Sequence, residues 1–276
     1  MSVTSTCVEK IECKDCGSSD SVQAYLNIDS QLGVEWYTSF CHGACWANKG
    51  DPYTDAPAPV VVPKTEAELL EELNVILSCK LFRPKKPYRG IPPEFYLSWG
   101  CRLLLSEFDG RTPYAIGFAY SDHGKLTGWK CRPFKKKDFY ALGRTSGVDP
   151  FGWTRAIKLG GDTLWVVEGE YDAIALDYCM VLAGNKKMYP VISLTQGGGS
   201  IEKNFKHIES RMASYKHVVL VLDNDKVGLL AEETAKEMWP NKIILVSKPE
   251  GSKDANDAVK AGHAIQMGML ALNYKK

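Results

Sequence analysis

Three short acidic clusters define the chemistry open to this chain: Glu168-Gly169-Glu170, Asp223-Asn224-Asp225 and Lys253-Asp254-Ala255-Asn256-Asp257. The first two directly follow the apolar runs Leu164 to Val167 and Val218 to Leu222. Aliphatic, β-branched runs of this length read as buried parallel strands, and open α/β sheets gather ligands where the carboxyl ends of such strands emerge. Glu168, Asp223 and Asp225 are therefore expected to converge on one edge. Carboxylates brought together repel one another unless a hard divalent cation lies among them, and Mg²⁺ takes oxygen-rich, partly hydrated sites of this kind. Such a site suits metal-dependent phosphoryl transfer. Asp254 also reads as a helix N-cap, and Glu170 and Asp172 as acidic residues that favour the start of a helix. Capping explains Glu168, Asp223 and Asp225 poorly, because three caps have no need to converge.

A second constellation is made of thiols. Cys13-Lys14-Asp15-Cys16 is a C-x-x-C knuckle followed by Gly17, and Cys41 and Cys45 form a wider second pair. Cys13, Cys16, Cys41 and Cys45 are the expected ligands of one structural zinc, with His42 as the substitute for Cys41, since His42 and Cys45 restore the usual spacing. Cys7 is a spare thiol. Tyr25 to Ile28 and Val34 to Tyr37 read as two strands that would carry the knuckles, and thiolate coordination would stand in for a core too small to fold alone. Cys79, Cys101, Cys131 and Cys179 are scattered singly and read as reduced, mostly buried small side chains.

The elements that must position the carboxylates follow from alternation of strand and helix patterns. Strands are expected at Thr163 to Val167, Val191 to Leu194, His217 to Leu222 and Lys242 to Val246, with helices from about Tyr171, from Ile201 and over Gly228 to Met238. Gln196-Gly197-Gly198-Gly199-Ser200, between a strand and a helix, could bring backbone amides to a phosphate. No G-x-x-x-x-G-K-[ST] occurs in the 276 residues, so no Walker-type motor is read here. Upstream, Glu66 to Ser78 is helical in pattern, Tyr88 to Tyr96 reads as a turn into a short helix, and Tyr114 to Tyr120 and Leu126 to Arg132 read as a hairpin around Ser121 to Lys125. Thr54 to Pro63 is a proline-punctuated spacer able to reach roughly 30 Å at ~3 Å per residue.

Charge is unevenly spread. The net charge is +1, yet residues 1–53 carry 3 basic and 7 acidic groups, whereas residues 80–145 carry 14 basic and 5 acidic, net +9. A basic surface beside an acidic metal site suits a polyanion whose phosphates are held while one reacts. Lys130 and Arg132 share a strand face, Lys137 follows in a lysine run, and together they are the expected phosphate-holding cations. No apolar stretch has the length of a membrane span and Met1 to Thr6 lacks a signal pattern. Of nine cysteines, five precede residue 46, which fits metal ligation better than a secreted disulfide framework. A cytoplasmic location is expected.

The acidic motifs resemble the signature of the TOPRIM fold. With the zinc knuckles in front, the chain is similar to the primase half of bacteriophage primase-helicases. Arg89-Gly90-Ile91 and Gly128-Trp129-Lys130-Cys131-Arg132 resemble further stretches of that family's polymerase domain, so the likeness covers most of residues 7 to 262. The resemblance implies an α/β fold: a TOPRIM-type parallel sheet over residues 161–276, a basic α+β N-terminal subdomain over 66–160, a linker at 54–65 and a small zinc ribbon at 1–53. It also implies a DNA primase that makes short RNA primers on single-stranded DNA. Asp223 and Asp225 would be core Mg²⁺ ligands, Asp254 an outer or second ligand, and Glu168 a ligand or a general base. Two catalytic Mg²⁺ are implied, replaceable by Mn²⁺, with one zinc. Lys130, Arg132 and Lys137 would hold triphosphate or template. The implied partners are the DNA template, ribonucleoside triphosphates, a separate replicative helicase and a DNA polymerase, in the host cytoplasm for a phage protein. The departures are the widened second knuckle and the missing helicase motifs. A TOPRIM-type nuclease, a topoisomerase with a tyrosine nucleophile and a non-enzymatic zinc-containing recombination mediator are the alternatives.

Overall fold

The computed structural model describes residues 3–29, 34–41, 50–53, 65–106, 108–135, 139–195, 199 and 201–274. The chain divides into two compact units, Met1–Lys64 and Thr65–Lys276. In the first, β1 (Val3–Ile11), β2 (Val22–Asp29) and β3 (Val34–Cys41) form an antiparallel sheet in that order. Among its described residues the buried cluster is Cys13, Val22 and Cys41 with Ile11 beside them. A cluster of that size offsets little of the entropy of ordering the chain, which is why a metal staple suits this unit.

The second unit opens at Thr65, which caps α1 (Glu66–Ser78): its Oγ1 accepts from the Glu68 amide, and Glu68 Oε2 accepts from the Thr65 amide at 2.7 Å. Thr65, the last residue of the expected linker, is thus part of this capping box; residues 54–64 lie outside the described residues. After α2 (Pro93–Ser98) come β4 (Arg102–Leu105), β5 (Pro113–Asp122), β6 (Lys125–Pro133) and β7 (Tyr140–Gly143), an antiparallel sheet in chain order. The expected hairpin is the β5–β6 pair. Its two-residue turn places His123 at φ 47° and Gly124 at φ 79°, the left-handed pair that matches strand twist. Period-two alternation then splits β5 and β6 between two cores. Ala115, Trp129 and Cys131 meet Ile76 of α1 on one face, while Ile116, Phe118 and Tyr120 enter the main core on the other.

Beyond α3 (Trp153–Leu159) the chain alternates β8 (Thr163–Val167), α4 (Glu170–Ala183), β9 (Val191–Ser193), α5 (Ile201–Met212), β10 (His217–Leu220), α6 (Lys226–Met238) and β11 (Ile243–Leu245), then α7 (Ala255–Lys260) and α8 (Ala264–Leu272). The strands are parallel in the order β11-β10-β8-β9. All five residues of β8 are buried, as a strand covered on both faces requires. Leu164 and Val166 face Phe205, Ile208 and Ala231 of α5 and α6; Trp165 and Val167 face Ala173 and Leu176 of α4 and Met267 of α8. The second cluster also holds Phe82, Ile91, Tyr96, Phe118 and Tyr120, so residues 66–160 and 161–276 share one continuous core. Among the described residues no helix is long and apolar enough to cross a membrane.

Candidate active site and metal centres

β8 and β10 are hydrogen-bonded neighbours, with Val166 opposite Leu220, so the residues just past them emerge side by side. Glu168 Oε1 accepts from the Asp223 amide at 3.0 Å. Asp225 caps α6: its Oδ1 accepts from the amides of Val227 and Gly228, each at 3.1 Å. A Cβ at Gly228 would stand 2.2 Å from the Asp223 backbone carbonyl oxygen and 2.8 Å from Glu168 Oε1, so only glycine lets α6 begin this close to the Asp223 backbone and the Glu168 carboxylate. Asp254 caps α7, its Oδ1 accepting from the Asp257 amide at 2.6 Å. From α4, Asp172 Oδ1 accepts from the Asn256 amide at 3.2 Å, and Asn256 is itself tied to Arg89 through Nε–H to Oδ1 at 2.7 Å. Carboxylate oxygens of Asp172, Asp223 and Asp254 all lie within 4.8 Å of one another.

Of the sequence-predicted carboxylates, Asp223 and Asp254 lie in this group, Asp254 as cap and member alike, and Glu168 bonds the Asp223 amide; Asp225, for which capping was discounted, is the N-cap of α6, where two free amides reach its Oδ1. Asp172, read only as a helix-start residue, is the member that sequence reasoning missed. Its signal was its place in the first turn of the helix that starts just past the end of β8. Burial, together with the charges of Asp254 and Asp223, pushes the Asp172 carboxyl well above the usual aspartate range. Burial also raises Asp223, against the pull of Lys253 and with the push of Asp254 and Asp225. Asp225 is held low by the Gly228 amide and by Lys253. Lys248, whose Nζ donates to the Leu222 carbonyl, is lowered by burial despite the nearby charges of Glu232, Asp223, Glu168 and Asp254. A partly buried trio of carboxylates this close together is a hard-oxygen donor set that fits a divalent cation such as Mg²⁺.

Lys130 and Arg132 do share one face of β6, and Glu170 meets both. Lys130 Nζ lies 2.6 Å from Glu170 Oε1, Arg132 3.7 Å from Oε2, and the Tyr120 hydroxyl donates to Oε1 at 2.6 Å. Burial raises the Glu170 carboxyl, but the two cations outweigh it and hold it below the usual range. The Lys130 side chain is only 7% exposed, so its charge, expected for phosphate, is instead balanced inside the protein by a carboxylate read merely as helix-favouring. Arg132 remains 29% exposed. Both cations lie over the Phe139 ring, at 4.6 and 5.0 Å. Lys137 and, apart from Gly199, the glycine loop at 196–200 lie outside the described residues.

In the first unit the sulfurs of Cys13, Cys16 and Cys41 lie within 4.8 Å of one another, and Cys16 and Cys41 are 3.8 Å apart. A tetrahedral site with Zn–S bonds of about 2.3 Å has S···S edges of about 3.8 Å, so the donor set and spacing fit zinc. The turn after Cys13 places Gly17 at φ 69° with its amide on the Cys13 carbonyl, and hydrogen bonds from Ser21 and the Ser18 amide lower the Cys16 thiol. Cys45 and His42 lie outside the described residues. Cys7 is exposed and bonds to the Glu9 carbonyl. Cys101, Cys131 and Cys179 are buried, and burial pushes the thiols of Cys131 and Cys179 up to about 12, the signature of inert core cysteines.

Residues 165–259 match the family model described as Toprim-like. The DNA helicase/primase of Enterobacteria phage T3 is 29% identical over 170 residues, which is 61% of this chain and 28% of that protein; the chain thus spans well under half the length of that curated relative. Among solved structures, the chain is similar to the primase fragment of the bacteriophage T7 primase-helicase, with 22% identity and a TM-score of 0.60 over 97% of this chain and 100% of the other. It is also similar to a chain in the bacteriophage T7 lagging-strand DNA polymerase interacting with primase domains of two gp4 subunits bound to an RNA/DNA hybrid and dTTP, at 26% identity and a TM-score of 0.56 over 67% and 88% of the two chains. The fold is that of the phage primase fragment, with the Toprim-like region as its parallel sheet.

Proposed function

We propose that the chain is a DNA primase, which condenses ribonucleoside triphosphates on a single-stranded DNA template into short RNA primers. The observation that carries this reading is the meeting of Asp172, Asp223 and Asp254 beside Glu168, at the carboxyl ends of β8 and β10. The reaction is in-line attack of a 3′-hydroxyl on an α-phosphate, with pyrophosphate leaving. Divalent ions bound at such a site lower the charge on the attacking oxygen and on the triphosphate together. In this chain Asp223, Asp254 and Asp172 would hold one ion, and Asp223 with Asp225 a second. Glu168 fixes the Asp223 backbone and would be a further ligand or the base for the hydroxyl. Arg132 and the lysine run after it would hold triphosphate or template backbone, with Lys130 and Glu170 positioning Arg132. The cysteine unit, holding one zinc, would read the template.

Two supports reach beyond the acid cluster. The phage T3 relative is named as a helicase/primase, and we infer that a helicase supplies the single strand on which this chain acts. The T7 complex pairs primase domains with a DNA polymerase, and a polymerase is the natural consumer of the primer. Incubation with labelled ribonucleotides, Mg²⁺ and single-stranded DNA tests the reading. Discrete short RNAs identify a primase, shortened DNA a nuclease using the same carboxylates on water, and a mobility shift without either product a binding module.

A further inference from the structure

The carboxylate cluster already contains a cation of the chain's own. Lys253 Nζ lies 3.0 Å from Asp223 Oδ2 and 3.1 Å from Asp225 Oδ2. Because Asp225 Oδ1 is committed to the amides at the start of α6, the oxygen that Lys253 takes is the one Asp225 has left to offer a metal. The Lys253 carbonyl accepts from the Asn224 amide at 3.3 Å, so main chain as well as side chain ties this lysine to the Asp-Asn-Asp loop. Lys248 differs: its ammonium is spent on the Leu222 carbonyl.

We propose that Lys253 is a tethered counter-ion that competes with the divalent cation for Asp223 and Asp225, and so sets the metal concentration at which the site fills. The inference rests on the metal-site reading above. An ammonium is a compact point charge on a flexible four-carbon stem. It can satisfy two carboxylate oxygens at once, yet it carries half the charge of Mg²⁺ and cannot complete an octahedral shell. The side chain is 52% exposed, which leaves it room to swing into solvent when a divalent ion takes its place. A ligand whose binding state must first be vacated binds with an affinity reduced by the fraction of molecules in which the lysine is in place. The lysine would also hold the carboxylates near their working positions before metal arrives, which limits the reorganisation that metal binding must drive.

Manganese titration of the full, zinc-loaded chain, followed by the electron paramagnetic resonance signal of free Mn²⁺, tests this without reference to catalysis. Lys253→Met should bind Mn²⁺ more tightly than wild type, on the order of three- to ten-fold as expected for exposed ion pairs, with Lys253→Gln as a second charge-removing variant. Lys253→Arg, which keeps the charge and can bridge both carboxylates, should not gain affinity. Without divalent ions Lys253→Met should melt below wild type, and added Mn²⁺ should close that gap. Asp223→Asn is the control and should lose the binding. If wild type binds and Asp223→Asn does not, yet neither charge-removing variant gains affinity, the competition is overturned and the metal site stands. If wild type fails to bind Mn²⁺, or Asp223→Asn leaves binding unchanged, the metal site itself falls.

Discussion

Asp172 is delivered to the acid cluster by a helix, and its carboxyl is partly buried beside like charges there. Burial first, then Asp254 and Asp223, raise its pKa well above that of a free aspartate. A carboxyl raised in the folded state contributes stability that is fully present below the unfolded value of about 4 and is lost as pH rises through the folded value. The metal-free protein is therefore expected to lose stability from this group as pH climbs from about 4 toward the raised value, and Asp172→Asn should abolish that loss. Thermal melts across pH in magnesium-free buffer, read as the difference between wild type and variant, check it. The difference matters because Glu170 and Asp225 are held low and act with the opposite sign. A difference that does not change with pH contradicts the assignment. Asp223 was legible as a candidate member of the acid group because it follows an apolar run that reads as a buried strand, and Glu168, past the neighbouring strand, bonds its amide; Asp225 instead caps α6. Asp172 was not legible, since an acidic residue in a first helical turn has an ordinary explanation. Glu170 does stand in the first turn of α4, as read, but its pairing with Lys130 and Arg132 was not legible, those partners lying some forty residues upstream on another sheet.

At the scale of elements, the start of α6 is the tightest joint in the site. Gly→Ala in an exposed helix usually gains about 1 kcal/mol. At Gly228 the new methyl meets the Asp223 carbonyl and Glu168, so Gly228→Ala is expected to cost about 1–3 kcal/mol and to weaken metal binding as the Asp225 cap shifts. Urea unfolding and Mn²⁺ titration measure the two effects; a stabilised variant with normal metal affinity refutes the packing argument. A second joint is the buried Glu170–Lys130 pair. Glu170→Gln strands a buried ammonium and should cost about 3–5 kcal/mol, with Lys130→Met on top restoring part of it, as urea melts of the single and double variants would register. Most elements were readable in advance. The capping box and apolar period of α1, the turn of the β5–β6 hairpin and the aliphatic runs of β8 and β10 are local signals. β1 was missed because Val3-Thr4-Ser5-Thr6-Cys7 has no apolar alternation, and its bulge between Cys7 and Glu9 breaks the period further. The core shared between residues 66–160 and 161–276 also escaped, because no local pattern records which side chains meet across 50 or more residues.

As a whole, the molecule joins a cysteine-rich unit, whose described residues bury only a small apolar cluster, to a larger unit that holds the acid cluster. With zinc held as proposed, Cys16→Ser should release it and unfold the small unit, since thiolate coordination would then supply that unit's folding energy. Template-directed initiation should fall with it, while extension of a preformed primer by the larger unit persists; equal loss of both would mean that the small unit belongs to the catalytic core. Zinc content and the two activities measured on one preparation decide between these outcomes. The order of the two chemistries along the chain was legible, because knuckle spacing and strand-end carboxylates are both short-range patterns. The central claim is that the carboxylates at the ends of β8 and β10 perform template-directed nucleotide condensation. The most direct test compares wild type and Asp223→Ala on single-stranded DNA with labelled ribonucleotides and Mg²⁺, after circular dichroism and zinc analysis show both proteins folded and loaded. Short template-dependent RNAs from wild type and none from the variant are predicted. Near-normal primer synthesis by Asp223→Ala, or no RNA from wild type on any template, would contradict the account.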